Sequence, residues 1–135
     1  MDKSVFLDTS YILALVFQDD DFHKIANNIS NKISSERINV LTTELILIEI
    51  ADSLSKVKFR QECIITIEKL RKFETVVDIT QDRMKTAWSL YEKMSDKEWG
   101  FTDCYSFVVM KKYDIKQALT TDKHFEQAGF ERLLK

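Results

Sequence analysis

At 135 residues, 44% hydrophobic and 31% charged, the chain has the composition of one folded domain with a sizeable core, which excludes a disordered polypeptide. Twenty basic against 22 acidic residues give a formal charge of −2, without the strongly basic balance of many nucleic-acid-binding domains, although a local basic strip is not excluded. Cys63 and Cys104 have no metal-ligand spacing and are too few for a disulfide framework, and no run approaches the ~18 apolar residues of a bilayer span. Reduced, buried thiols and a cytoplasmic protein with no membrane segment are therefore expected, and Met1-Asp2-Lys3 leads into the first strand without a signal-peptide region.

Val5-Phe6-Leu7 is a β-branched and aromatic run of the kind found in buried strands, and Asp8 follows it at once. Thr9 and Ser10 are good helix N-caps before the apolar run Tyr11 to Phe17. Phe22 to Ser34 has helical periodicity, and Arg37 to Leu41 reads as a second strand. Thr42-Thr43 then caps a helix from Glu44 to about Lys58, and Phe59 to Phe73 continues as another amphipathic helix. Thr75 to Ile79 is a third strand, and Thr80 caps a helix to about Met94. After Gly100, Thr102 is placed to cap a nearly all-apolar helix through Met110. Ile115 to Leu119 is the fourth strand, Asp122 to Gln127 a short helix, and Phe130 to Leu134 an edge strand. Strands alternating with helices predict a three-layer α/β/α domain over residues 1–135, with a mostly parallel sheet of four or five strands.

Four acids sit where this order matters. Asp8 follows the first strand and Asp122 the fourth; Asp103 opens the interior helix, and Glu49 lies on the edge of the core stripe beside Leu45 and Ile46. Each also has a plain structural role: Asp8 and Asp122 as caps, Asp103 against the helix dipole, Glu49 paired with Lys56 or Lys58. A buried Glu49 without a partner would cost several kcal/mol. In a parallel sheet all four can converge at the carboxyl ends of the strands, where α/β folds bind ligands. Clustered oxygen donors without His or Cys suit Mg²⁺ or Mn²⁺, and such ions suit phosphodiester hydrolysis.

Val5-Phe-Leu-Asp-Thr-Ser10, Thr43-Glu-Leu-Ile-Leu-Ile-Glu-Ile50, Phe101-Thr-Asp-Cys-Tyr105 and Leu119-Thr-Thr-Asp-Lys-His-Phe125, with Gly129-Phe130 after it, occur in the order of a known family. The chain resembles the PIN-domain ribonucleases, and among them the toxins of VapC type. The resemblance implies that Asp8, Glu49, Asp103 and Asp122 are the catalytic and metal-binding acids, with Thr9 and Ser10 in support. It also implies an Mg²⁺- or Mn²⁺-dependent endoribonuclease acting on RNA, a transfer RNA or another structured RNA. Its partners would be a cognate antitoxin and a second copy of the chain in a homodimer. Cys104-Tyr105 departs mildly from the smaller residues usual after the third acid.

The alternative within the fold is a degenerate module that binds RNA or protein without catalysis; the retention of four acids argues against it. A haloacid-dehalogenase-type phosphatase needs a second Asp where Ser10 stands. A receiver-like module needs a phospho-accepting Asp and a later Lys, for which only Asp78 and Lys123 are available. His23 and His124 could serve as ligands or bases, but each stands near a helix start with acids beside it, and surface placement is the expectation. The basic runs Lys56, Lys58, Arg60 and Lys111-Lys112 read as solvated faces and Trp88 and Tyr91 as packed residues; Trp99 is the better candidate for an exposed aromatic, with docking over the sheet edge equally open.

Overall fold

The computed structural model describes residues 1–135. In its first half, β1 (Ser4–Leu7) leads through α1 (Thr9–Val16) and α2 (His23–Glu36) to β2 (Asn39–Thr43). From there α3 (Glu44–Ser53) and α4 (Val57–Phe73) lead to β3 (Thr75–Val77). In the second half, α5 (Gln81–Lys93) and α6 (Phe101–Lys112) precede β4 (Gln117–Leu119), and α7 (Lys123–Gln127) precedes β5 (Glu131–Arg132). The five strands form one sheet in the order β3-β2-β1-β4-β5, every neighbouring pair parallel. The register sets Val5 beside Val40 and Leu7 beside Leu119.

The strand order divides the helices. From β1 the chain steps outward through β2 to β3, then returns across the sheet to β4 and steps the other way to β5. Right-handed crossovers therefore put α1 to α4 on one face and α5 to α7 on the other, giving the expected three layers. The direction reverses between β1 and β4, so the crevice at their carboxyl ends is the topological switch point, where such sheets bind ligands. No helix is long and apolar enough to cross a membrane.

Burial follows the sequence pattern. Val5, Phe6 and Leu7 on β1 lie in the core, as do Ile46, Leu47 and Ile50 on α3, each such side chain contributing about 1.5–3 kcal/mol. Both cysteines are free and buried. Boundaries shift where turns lack glycine and proline. Arg37, expected to open β2, instead ends α2 in the left-handed region (φ 53°), so the strand starts at Asn39. The helix expected to continue to Lys58 stops at Ser53, where the fully buried Leu54 turns the chain, and α4 begins at Val57 rather than Phe59. β3, β4 and β5 are shorter than the apolar runs that predict them, ending or starting inside Thr75–Ile79, Ile115–Leu119 and Phe130–Leu134.

The aromatic assignments also change. Trp99 is buried, its indole N–H donating to Gln127 Oε1 (3.0 Å) and its ring edge-on to Phe107 at 5.0 Å. Trp88 and Tyr91, read as packed, remain 47% and 43% exposed, with Trp88 lying 4.4 Å from Phe101. The polar stretch around Trp99 obscures its burial because a single hydrogen bond satisfies the indole tip while its apolar body packs against Phe107.

Candidate active site

The crevice is built from the turns that follow β1 and β4. Asp8 is the residue before α1, but its side chain makes no helix-capping bond, and Thr9 and Ser10 lie inside the helix rather than capping it. The Asp8 carboxylate instead accepts two hydroxyl hydrogen bonds on Oδ2, from Ser10 (2.9 Å) and from Thr120 (2.6 Å). Thr120, fully buried just beyond β4, also accepts the backbone N–H of Asp122 at 3.0 Å. Ser10 Oγ accepts the N–H of Thr121 at 2.9 Å. These bonds fasten the first strand–helix turn to the last one across most of the sequence. Burial pushes the Asp8 carboxyl above its ordinary range; the Thr120 and Ser10 hydroxyls oppose this, and the charges of Glu49 and Asp122 add to it.

Glu49 arrives from α3. Thr43 caps that helix, accepting the N–H of Ile46 at 3.2 Å, and so fixes which side the apolar first turn buries. Glu49 is half-buried, and Oε1 accepts a hydrogen bond from the Thr9 hydroxyl; the pairing with Lys56 or Lys58 is not made. The helix-opening acid Glu44 points elsewhere, into a bidentate pair with Arg71 (2.5 and 3.0 Å).

Asp103 sits in the first turn of α6. Gly100, not Thr102, precedes that helix, and its N–H donates to Asp103 Oδ2 at 3.2 Å. Asp122 caps α7, accepting the N–H of His124 on Oδ1 at 2.9 Å. Its structural role as a cap and its place in the acid cluster therefore coexist. His124, expected at the surface, is turned inward: Nδ1 lies 3.1 Å from Asp103 Oδ2 and 3.3 Å from Asp122 Oδ1. Burial raises the Asp103 carboxyl and the Asp122 charge raises it further, against the Gly100 N–H and His124, which lower it. His23, by contrast, stays outside, with Nδ1 at 2.7 Å from the Ala14 carbonyl oxygen.

Asp8, Glu49, Asp103 and Asp122 line one open cleft of about 520 Å³, together with Thr9, Ser10, Ser53 and Thr121. Four carboxylates from four separate segments thus face the same volume. Their mutual repulsion, and the burial of two of them, is the situation that a divalent cation relieves. The donor set fits a hard ion that accepts oxygen ligands. The tightest grouping is that of Asp103, Asp122 and His124, whose ligand atoms all lie within 4.8 Å of one another. Asp8 stands back, engaged by two hydroxyls. Thr120 is the residue for which reading the sequence found no role, and His124 the candidate ligand or base that it placed at the surface. The usable signal for both was the hydroxyl-rich Thr120-Thr121 before a capping Asp122, because the cap folds the first turn of α7 back over the crevice.

A family pattern for the PIN domain matches residues 5–131. The chain is 29% identical over 127 residues to the 23S rRNA-specific endonuclease VapC20 of Mycobacterium tuberculosis, covering 93% of this chain and 95% of the relative. The crystal structure of VapC20, a sarcin-ricin loop cleaving toxin, superposes with a TM-score of 0.82 at 28% identity, over 93% of this chain and 95% of that one. FitAcB from Neisseria gonorrhoeae (TM-score 0.70, 14% identity, 95% of each chain) and VapBC2 from Rickettsia felis bound to a promoter DNA fragment (0.70, 12%, 96% of each) share the fold. With the family pattern spanning nearly its whole length, and with the acid-lined crevice at its switch point, the chain belongs to the PIN domain family.

Proposed function

We propose that the chain is a metal-dependent endoribonuclease and the toxin of a type II toxin–antitoxin pair, acting in the cytoplasm. The observation that carries this reading is the convergence of Asp8, Glu49, Asp103 and Asp122 on one cleft of a PIN domain. VapC20, similar along nearly all of both chains, acts on 23S rRNA, so a structured RNA stem-loop is the first substrate class to try. The cognate antitoxin and the homodimer follow from the family resemblance, with the antitoxin segment covering the acidic cleft.

Asp103 and Asp122 would hold the Mg²⁺ or Mn²⁺, with Asp8 completing the site from its buried position. When bound, the ion neutralises charge on the scissile phosphate and lowers the pKa of a bound water. Glu49, its Oε1 held by the Thr9 hydroxyl and its side chain lining the cleft, would orient the attacking water and take its proton on Oε2. Ser10 and Thr120 keep Asp8 in one rotamer by donating to the same oxygen. By analogy with the family, the P–O3′ bond breaks as the water attacks and the departing 3′-oxygen takes a proton from solvent, leaving a 5′-phosphate and a 3′-hydroxyl.

Asp8→Asn tests this assignment. The Asn oxygen can still accept both hydroxyl bonds, so the fold survives while the charge is lost. Mg²⁺- or Mn²⁺-dependent cleavage of a structured RNA should be abolished in the variant and, in the parent, by chelation. Cleavage by the variant at the parental rate would sink the nuclease site.

A further inference from the structure

We infer that His124 is a ligand of the metal site, a nitrogen donor among the carboxylates that shifts the site's preference from Mg²⁺ toward Mn²⁺. This rests on the metal-dependent reading above and goes beyond the four acids. The geometry is specific. Nδ1 faces two carboxylate oxygens at once, at 3.1 Å (Asp103 Oδ2) and 3.3 Å (Asp122 Oδ1). A neutral imidazole has at most one N–H at that atom and can donate it to only one of them. Adjacent ligands of an octahedral ion with bonds of about 2.1 Å lie about 3 Å apart, close to both separations. The three atoms are also held before any ion arrives. The Gly100 N–H fixes Asp103 Oδ2, the His124 N–H fixes Asp122 Oδ1, and the imidazole stands on the first turn of α7 that Asp122 caps. Support of this kind lets the three atoms meet an ion without rearranging.

The chemistry follows from donor type. Carboxylate and water ligands suit Mg²⁺ and Mn²⁺ alike, but an imidazole nitrogen is accepted more readily by a first-row transition ion such as Mn²⁺ than by Mg²⁺. With Nδ1 as a ligand, the proton resides on Nε2, and binding displaces the Nδ1 contacts to the two acids with one contact to the ion.

The test uses the full chain with Mn²⁺ alone as the probe. Loss of the free Mn²⁺ signal in electron paramagnetic resonance measures binding, and pulsed measurements on the bound ion read nitrogen hyperfine coupling. The parent should bind Mn²⁺ with a histidine-type coupling that disappears in His124→Gln. That variant should also weaken Mn²⁺ by roughly 10- to 100-fold while changing Mg²⁺ affinity much less. His23 is the chain's other imidazole, so His23→Gln should keep the coupling, which secures the assignment even where His124→Gln fails to fold. Bound Mn²⁺ without nitrogen coupling, or coupling that persists in His124→Gln, would overturn the role of His124 and leave the nuclease reading intact. A parent chain that binds no Mn²⁺ would overturn both.

Discussion

Thr120→Val removes one hydroxyl at nearly constant volume, from a fully buried side chain. That hydroxyl donates to Asp8 Oδ2 at 2.6 Å and accepts the Asp122 N–H at 3.0 Å. Losing a hydrogen bond to a carboxylate costs about 1.5–3 kcal/mol, and a partly buried N–H left without its partner adds up to about 1. The expected loss is therefore about 2–4 kcal/mol, or a fall in Tm on the order of 10 °C for a chain of this size. Urea unfolding should show a lower midpoint with an unchanged slope. In an Asp8→Asn background the same substitution should cost about 1 kcal/mol less, because the bond it removes is then no longer to a charge. RNA cleavage should drop although all four acids remain, since Asp8 and Asp122 both lose a restraint. A Thr120→Val chain within about 0.5 kcal/mol of the parent would refute the hub described for this residue.

Further outcomes test other parts of the structure. The Asp8 and Asp103 carboxyls are raised above their ordinary 3.8, so the stability they contribute is full below that value and is lost as pH rises through their raised folded-state values. Asp8→Asn or Asp103→Asn should therefore raise the Tm of the metal-free protein at neutral pH, by a margin that shrinks below pH 3.8; a margin that grows on acidification would contradict the sign. Mn²⁺ at about a hundred times its Kd should stabilise the parent by about 2.7 kcal/mol in thermal unfolding, and Asp103→Asn should lose most of that gain. Trp99→Phe should cost about 1 kcal/mol through the lost bond to Gln127, and should red-shift the fluorescence, leaving the half-exposed Trp88 as the sole indole. Val57→Ala, at a side chain 93% exposed, should change stability by less than about 0.5 kcal/mol.

The parts of this molecule legible in its sequence are those encoded locally. Val5-Phe6-Leu7 followed by an acid and then an apolar helix announces a buried parallel strand with a polar carboxyl end, and the structure has it at the centre of the sheet. The convergence of the acids was likewise readable, because a parallel sheet brings every strand's carboxyl end to one side. What escaped depends on contacts between distant segments. Nothing near Thr120 shows that its hydroxyl will meet Asp8, and nothing near His124 shows that Asp103 will stand opposite it. Thr102 looked like a cap because hydroxyls cap well, but the helix already starts at Phe101 and the Asp103 side chain reaches back to the N–H of Gly100. Trp99 could not be decided from sequence for a similar reason: its sequence neighbours are polar, while its spatial neighbours, Phe107 and Gln127, come from later helices.

The position of β4 has a bearing on how such a protein is made. Synthesis proceeds from the amino terminus, at about 5–20 residues per second, so Asp8, Glu49 and Asp103 leave the ribosome before β4, the second of the two strands that pair with β1. Until residues 117–124 have emerged, Leu119 is not there to pair with Leu7, Thr120 cannot hold Asp8, and neither Asp122 nor His124 is present. An RNA-cleaving enzyme assembled this way would be disarmed beside the ribosomal RNA that builds it until β4 and α7 have followed the rest of the crevice out of the ribosome.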